Sequence, residues 1–471
     1  MSRRVVRLSC AFVLVVALGA GVAWQVRAAL GLSFTPANVP AEHLTAAPAA
    51  AAAPAPAYTS IALPALSGTD AQRVALAAGA VSAALTGRGR AAPAVTTSGT
   101  GSLRVAIVGS LPGSSSAESF RLRSAGGGLE LDATTPAGAA DGLYTIADRI
   151  RSGEQVLPVG SDGRVTAPKL AMRLTDVGAV GLNDDPAEFA SGTDYSLNTD
   201  VVGSALLPRA PWVDAAAAAQ ISAQFHQFVD RALEEGYNGL VLPGFIEYLT
   251  FSGVGDRHAV YKAGDPHIAR AEAMRATFGP IWQYAHDMGM SVYFQTDMLS
   301  LSPPLARYLG HIDTTSSKLW SVYQAGLHEL FTTMPYVDGL MIRIGEGGSD
   351  YKLAGWDYYS AIDVTTVAAV RDMLTSLLHT ADQDNRDIVF RTWSVGVGAV
   401  GDMHTNPASY EKVLDGIDDP HLIVSTKYSL GDFYSHLPLN TTLAVGSQKR
   451  IVEFQSRREF EGLGALPNDL G

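Results

Sequence analysis

Gly339-Leu340-Met341-Ile342-Arg343-Ile344-Gly345-Glu346 reads as a buried strand that ends in a carboxylate. Two later stretches follow the same plan: Leu422–Asp432 (LIVSTKYSLGD) and Ile451–Glu459 (IVEFQSRRE). Short apolar runs of this kind suit strands covered on both faces, and such strands belong to parallel sheets. A basic residue lies near each acid: Arg343, Lys427 and Arg458. If the strands share one parallel barrel, their C-terminal ends meet at a single mouth.

Working outward, strand and helix patterns alternate from about Pro168. The expected strands are Ala171–Asp176, Gly239–Pro243, Ser291–Asp297, Gly339–Glu346, Ile388–Trp393, Leu422–Tyr428 and Ile451–Gln455. Between them, Ala215–Glu235 carries Ile221, Phe225, Phe228 and Ala232 at helical spacing, and Ala271–Met288 and Thr365–Thr380 read as helices too. This alternation predicts an α/β fold, a (β/α)8 TIM-like barrel. A doubly wound open sheet is the alternative. No GxGxxG or GxxxxGK[ST] follows a strand, which weighs against nucleotide binding. Only seven strands are legible. Either the eighth lies in Asn198–Leu207 or the barrel is incomplete at its C-terminal end.

Tyr58–Pro158 reads as a small α+β unit. It has a helix over Ala71–Leu85, strands at Leu103–Val108, Phe120–Leu122 and Leu129–Leu131, and a helix over Leu143–Ile150. Pro36–Pro56 is dominated by Ala and Pro and reads as an extended linker. At the N-terminus, Arg3, Arg4 and Arg7 precede the apolar run Leu8–Trp24, and Val26-Arg27-Ala28 offers a cleavage site. This is the pattern of a signal peptide or of an uncleaved anchor. The expected organisation is therefore 1–29 signal peptide or anchor, 30–57 linker, 58–165 small α+β domain and 166–471 barrel. The expected location is extracellular or at the cell surface, with membrane anchoring through the N-terminal segment as the alternative to release.

The chain has 471 residues, 47% hydrophobic and 17% charged, with a net charge of −12. An acidic chain lacks the basic face that nucleic acid requires. The one cysteine, Cys10, lies in the N-terminal apolar run. Disulfides and a catalytic thiol are thus excluded from a mature protein. The histidines (His226, His258, His267, His286, His404, His436) form no HxxxH pair, so no metal site is expected. No cofactor is expected.

Acids at strand ends suit glycosidic hydrolysis, which needs one group to protonate the leaving oxygen and another to activate water or attack the sugar. Glu346, Asp432 and Glu459 are the candidates, with Glu453 a competitor that faces the same side as Ile451 and pairs with a base such as Arg391. Gly347 and Gly348 are read as keeping the backbone open beside Glu346. Arg343, Arg391, Lys427, Arg457 and Arg458 are the cations, either for a substrate carboxylate or for neutralising the acids. Asp176, Glu247 and Asp297 also stand at or just beyond strand ends. Trp356, Tyr358, Tyr359, Trp393, Tyr428 and Tyr434 are read as sugar platforms or as packing.

The motifs resemble the α-glucuronidases of glycoside hydrolase family 67. That family's fourth strand carries Gly-Phe-hydrophobic-Val-Lys followed by Glu in a Gly-rich stretch, matched by Asp338–Gly348 (DGLMIRIGEGG). Its Lys-x-x-x-x-Asp-Phe segment is matched by Lys427–Phe433 (KYSLGDF), and its third acidic segment by Glu453–Gly462 (EFQSRREFEG). The resemblance implies Glu346 as general acid. It implies Asp432 and Glu459 as the base pair, Glu459 taking that place rather than Glu453. It also implies a carboxylate site of Arg391, Lys427 and Arg343. The expected activity is inverting removal of glucuronic acid from xylan-type oligosaccharides, with an acidic oligosaccharide or polysaccharide as partner. Alternatives are a truncated or non-catalytic carbohydrate-binding relative, or a barrel glycosidase of different sugar specificity. The last predicts that Arg391 and Lys427 pair with protein acids. The first strand departs from the family, with Arg173-Leu174-Thr175-Asp176 in place of His-Trp-Asp. The family's helical C-terminal domain finds no match.

Overall fold

A computed structural model describes residues 52–97, 101–158, 160, 162–180, 182, 201–394, 398–430 and 438–454. The N-terminal expectations up to residue 51 lie outside them. Among the described residues no helix is long and apolar enough to cross a membrane.

The first part is a six-stranded sheet with two helices. Its elements are β1 (Ser60–Ala62), α1 (Gly68–Gly87), β2 (Ala94–Thr96), β3 (Leu103–Ile107), β4 (Phe120–Ala125), β5 (Gly128–Ala133), α2 (Pro136–Ser152) and β6 (Val165–Thr166), in the order β2-β1-β3-β5-β4-β6. Leu129, Leu131 and Ala133 of β5 are buried in the core that includes Leu143, Ile146 and Ile150 of α2. The alternate residues Glu130 and Asp132 face the other way and are buried by ion pairs. Arg121 and Arg123 reach Asp132 at 2.9 and 3.0 Å, and Arg123 and Arg104 pair with Glu130. One face of the sheet is thus apolar and the other ionic, as period-2 alternation requires.

The second part opens with β7 (Leu174–Asp176) and α3 (Val177–Val180), followed by α4 (Ala215–Glu234), β8 (Gly239–Pro243), α5 (Pro266–Asp287), β9 (Ser291–Asp297), β10 (Ser300–Leu301), α6 (Pro303–Leu309) and α7 (Ser317–Thr333). It continues through β11 (Gly339–Arg343), β12 (Gly348–Ser349), β13 (Tyr359–Ser360), α8 (Val367–Asp384), β14 (Asp387–Arg391), α9 (Pro407–Leu414), β15 (Leu422–Lys427) and β16 (Lys449–Glu453). Seven of these strands form one parallel sheet in strict sequence order, β7-β8-β9-β11-β14-β15-β16, curled into a half-barrel. The barrel-type α/β fold expected from the alternating pattern is therefore borne out. Among the described residues β7 and β16 do not pair, so the sheet stays open there. Of Asn198–Leu207, the described residues 201–207 hold a 3-10 turn at Gly203–Ala205 and an isolated antiparallel bridge from Leu206 to Val213, and no strand of the barrel sheet.

Side chains alternate across this sheet. Leu240, Leu242, Val292, Phe294, Leu340, Ile342, Ile388, Phe390, Leu422 and Val424 join the large core beneath the helices. Val241, Tyr293, Met341, Val389 and Ile423 make a separate small cluster on the inner face. Each large apolar side chain buried contributes about 1.5–3 kcal/mol, so this double covering fixes the register. The helices begin where the sequence supplies caps. Asp214, Asp265 and Thr366 each accept a backbone N–H of the following turn, which stabilises a helix by about 1 kcal/mol.

Candidate active site

On the inner face, the apolar layer gives way to charge toward the C-terminal ends. The same parity that aims Val241, Tyr293, Met341, Val389 and Ile423 inward also aims Gln295, Asp297, Arg343, Arg391, Ser425, Lys427 and Glu453. Register then sets the pairs. Arg343 lies opposite Asp297 and donates to it through Nε at 2.5 Å and Nη2 at 2.9 Å. Its Nη2 also meets Glu346 at 2.9 Å. Arg391 grips both oxygens of Glu453, at 2.9 and 2.8 Å, and Ser425 Oγ adds a third bond to Glu453 at 2.7 Å. Gln295 donates to Asp176 at 2.9 Å. Lys427 lies across the sheet from Glu453, with its ammonium 3.6 Å from the centre of the Trp393 ring.

Burial alone would push the Glu453 carboxyl up. The adjacent Arg391 charge, the hydrogen bonds from Arg391 and Ser425, and the charge of Lys427 reverse this and hold it down at about 2. Burial likewise works against the charge on Arg391, yet Glu453, Asp176 and Asp297 keep that guanidinium protonated more firmly than usual. The two groups form a mutually stabilised ion pair at the base of the mouth.

Glu346 stands just beyond β11, which ends at Arg343 rather than running to Glu346 as expected. Its side chain is 44% exposed. Of the glycines around it, Gly348 stands in open space with φ at +148°, as expected, whereas Gly345 and Gly347 serve close approach. A Cβ on Gly345 would lie 2.7 Å from the carbonyl carbon of Ser394, and one on Gly347 would lie 2.8 Å from the Ser360 oxygen. The chain then builds β12 and β13, which pair antiparallel with each other and with β10 into a small sheet. Asp350, next after β12, donates its N–H to the Tyr358 carbonyl at 3.0 Å and accepts from Ser360 Oγ at 3.2 Å. Glu247, in the turn after β8, is buried, and it accepts from Tyr351 Oη at 2.6 Å and from the Phe245 N–H at 3.0 Å.

The loops that leave this end of the sheet are stitched together. Arg270 of α5 is buried and lies within 6 Å of three ring centres: Trp212 at 5.6 Å, Trp356 at 5.9 Å and Tyr358 at 5.3 Å. It also pairs with Asp357 at 2.9 Å. Trp356 Nε1 donates to the Leu207 carbonyl at 2.8 Å. Cation–π contacts of this type contribute about 0.5–2 kcal/mol each. Trp356 and Tyr358 are fully buried here, so they are packing residues and not sugar platforms. Trp393 is half-buried, with Lys427 over its ring and His404 edge-on at 5.0 Å, and Tyr428 is 42% exposed with the Phe454 ring at 4.9 Å.

Of the six site residues expected from sequence, Glu346, Arg343, Arg391 and Lys427 fall at this end of the half-barrel. Asp432 and Glu459 lie outside the described residues, as do Arg457, Arg458 and Tyr434. The pairing of Glu453 with Arg391, offered from the strand parity, is what the structure contains. Asp350 escapes the sequence reading. Its one signal is an acid within the Gly-rich stretch that follows Glu346. Among the described residues no group of three or more His, Cys, Asp or Glu is arranged to hold a metal ion.

No family model matches this sequence, and no curated protein matches it. Among solved structures, it is similar to a GH138 enzyme targeting pectin rhamnogalacturonan II, at 14% identity and a TM-score of 0.48 over 80% of this chain and 49% of that one. It is also similar to the GH20 β-N-acetylhexosaminidase of Streptomyces coelicolor A3(2), at 17% identity and a TM-score of 0.46 over 85% of this chain and 79% of that one. The N-acetyl-β-hexosaminidase of Streptomyces plicatus aligns at 16% identity and a TM-score of 0.45, over 85% of this chain and 78% of that one. The chain thus spans about half the length of the GH138 enzyme. The α-glucuronidase resemblance is corrected by these findings: no family model supports family 67, and the structures named belong to other families. Short motifs of apolar residues, glycine and a strand-end acid recur in parallel barrels for reasons of packing, so three of them can align without marking a family.

Proposed function

We propose that this chain is an exported glycoside hydrolase, that its reaction takes place at the C-terminal end of the half-barrel, and that its sugar is not a uronic acid. The observation that carries the reading is the set of carboxylates at one end of the parallel sheet, with Glu346 half-exposed beside Arg343 and Asp297. Two carboxyl groups flanking a bond are the usual requirement for glycoside cleavage. The charge pattern supports the choice of sugar. A uronate needs a guanidinium fork of its own. Arg391 gives its fork to Glu453, and Arg343 divides its donors between Asp297 and Glu346. Exchanging Glu453 for a substrate carboxylate on Arg391 would leave a largely enclosed protein charge uncompensated.

The test uses the full chain against aryl glycosides of neutral, amino and uronic sugars, with release of the aryl alcohol as readout. Turnover of a neutral or amino sugar is expected, and Glu346→Gln is expected to lower kcat/KM by about 10²–10⁴-fold with an unchanged circular dichroism spectrum. Turnover confined to uronides would overturn the choice of sugar. An inert wild-type protein across the panel would overturn the hydrolase reading.

A further inference from the structure

We propose that Asp350, rather than Glu346, donates the proton to the leaving oxygen, and that Glu346 acts as the carboxylate that takes a proton from water. This assignment rests on the hydrolase reading above and adds to it the division of labour between the acids.

The argument begins with how each carboxyl is held. Asp297 has two bonds from one guanidinium, at 2.5 and 2.9 Å. Glu346 has Arg343 at 2.9 Å. Glu247 has a phenol at 2.6 Å and a backbone N–H at 3.0 Å. Glu453 has both ends of Arg391. Each of these is matched to a cation or to two fixed donors. Among the described residues the Asp350 carboxyl is met by one neutral hydroxyl, Ser360 Oγ, at 3.2 Å. The charged groups that bear on it are Glu247, from the turn after β8, and Asp297, from the end of β9, both negative. Like charges that converge on one place cannot all stay ionised, and the proton goes to the member with the weakest compensation. Burial, the Glu247 charge and the Asp297 charge push Asp350 up, against the Ser360 bond, to about 7. The residue is nevertheless accessible to solvent. An exposed carboxyl is open to a reacting group, which a proton donor needs.

Position is fixed as well. Asp350 follows directly on β12, which is held through β13 to β10, so a three-stranded sheet carries it. A donor held on a short sheet is better oriented than one on a free loop. In the reaction the bond between the anomeric carbon and the leaving oxygen breaks, and its electron pair leaves with the oxygen. That oxygen takes the Asp350 proton. A water oxygen bonds to the anomeric carbon and gives its proton to Glu346. One water is consumed, and solvent returns the proton from Glu346 to Asp350.

The experiment has two arms on the full chain. In the first, carboxyl-¹³C aspartate is titrated by NMR in wild type and Asp350→Asn. Two aspartate signals, those of Asp141 and Asp350, are expected to titrate close to neutral pH, and in the variant only the Asp350 signal disappears. An Asp350 signal that titrates in the ordinary carboxylate range overturns the proposal. In the second, pH–rate profiles are recorded on a glycoside the wild type hydrolyses, with a good and a poor leaving group. Asp350→Asn is expected to lose about 10²-fold or more on the poor leaving group, far less on the good one, and the alkaline limb near neutrality. Equal loss on both leaving groups with the limb retained overturns the donor role while the hydrolase reading stands. A wild type inert on every glycoside overturns both.

Discussion

Glu453 shows how a single carboxylate can be pulled in opposite directions by its surroundings. Burial disfavours its charge, while Arg391, Ser425 and Lys427 restore it and leave the carboxyl at about 2 against 4.5 in an open chain. A depressed acid stabilises the fold above its unfolded value and stops doing so as pH falls through the folded one. Wild-type protein is therefore expected to lose on the order of 3 kcal/mol between about pH 5 and pH 2 through this one group. Glu453→Gln is expected to cost about 3–5 kcal/mol at neutral pH, since it strands Arg391, and to flatten that acid limb. Urea midpoints of both proteins across this pH range measure it. Parallel acid limbs in the two would sink the account. Glu346 belongs to the other kind of position, half-exposed and sharing its cation, and its replacement is expected to move turnover rather than stability.

At the scale of the element, β11 and the loop after it depend on glycines that let backbones touch. Gly345→Ala places a methyl 2.7 Å from Ser394 backbone. Overpacking of that kind costs about 1–3 kcal/mol and displaces the Glu346 segment. A lowered melting temperature together with reduced turnover is expected; unchanged melting would show that the contact yields freely. Removing the cap by Thr366→Ala frees the N–H of Ala369 and is expected to cost about 1 kcal/mol without touching activity. These elements also mark what is legible in the sequence. Gly239–Pro243 and Ser291–Asp297 are legible to their ends, because a strand covered on both faces writes a continuous apolar run. The α7 helix, Ser317–Thr333, does not stand out: its first turn carries no side-chain cap and Gly326 interrupts its apolar face against Phe251 and Leu249. The strands β10, β12 and β13, two residues each, have no period to detect. The charged end of the half-barrel is legible because strand parity carries Arg343, Arg391, Lys427 and Glu453 to one face. Asp350 is not, because a loop defines its place and only long-range pairing defines the loop.

At the scale of the molecule, one apolar cluster runs from Ile61 through Leu143, Phe225 and Phe294 to Val424, and so joins both sheets. Arg173 bridges them too, reaching Glu118 at 2.6 Å and the Gly236 carbonyl at 2.6 Å. A shared core predicts one cooperative heat-absorption peak in calorimetry, and Arg173→Ala is expected to move that peak downward by a few degrees without splitting it. Two separated peaks in the wild type would mean that the sheets unfold on their own. The grip of Arg270 on Trp212, Trp356 and Tyr358 carries a different implication. Segments leaving β7 and β11 are clasped by one guanidinium carried on the helix that follows β8, so this stretch of rim acquires its shape when the chain folds. A visiting molecule meets a wall already in place, and the entropy of arranging it does not recur with each encounter. Association on that side then proceeds as docking to a standing surface, at a pace set by diffusion and orientation.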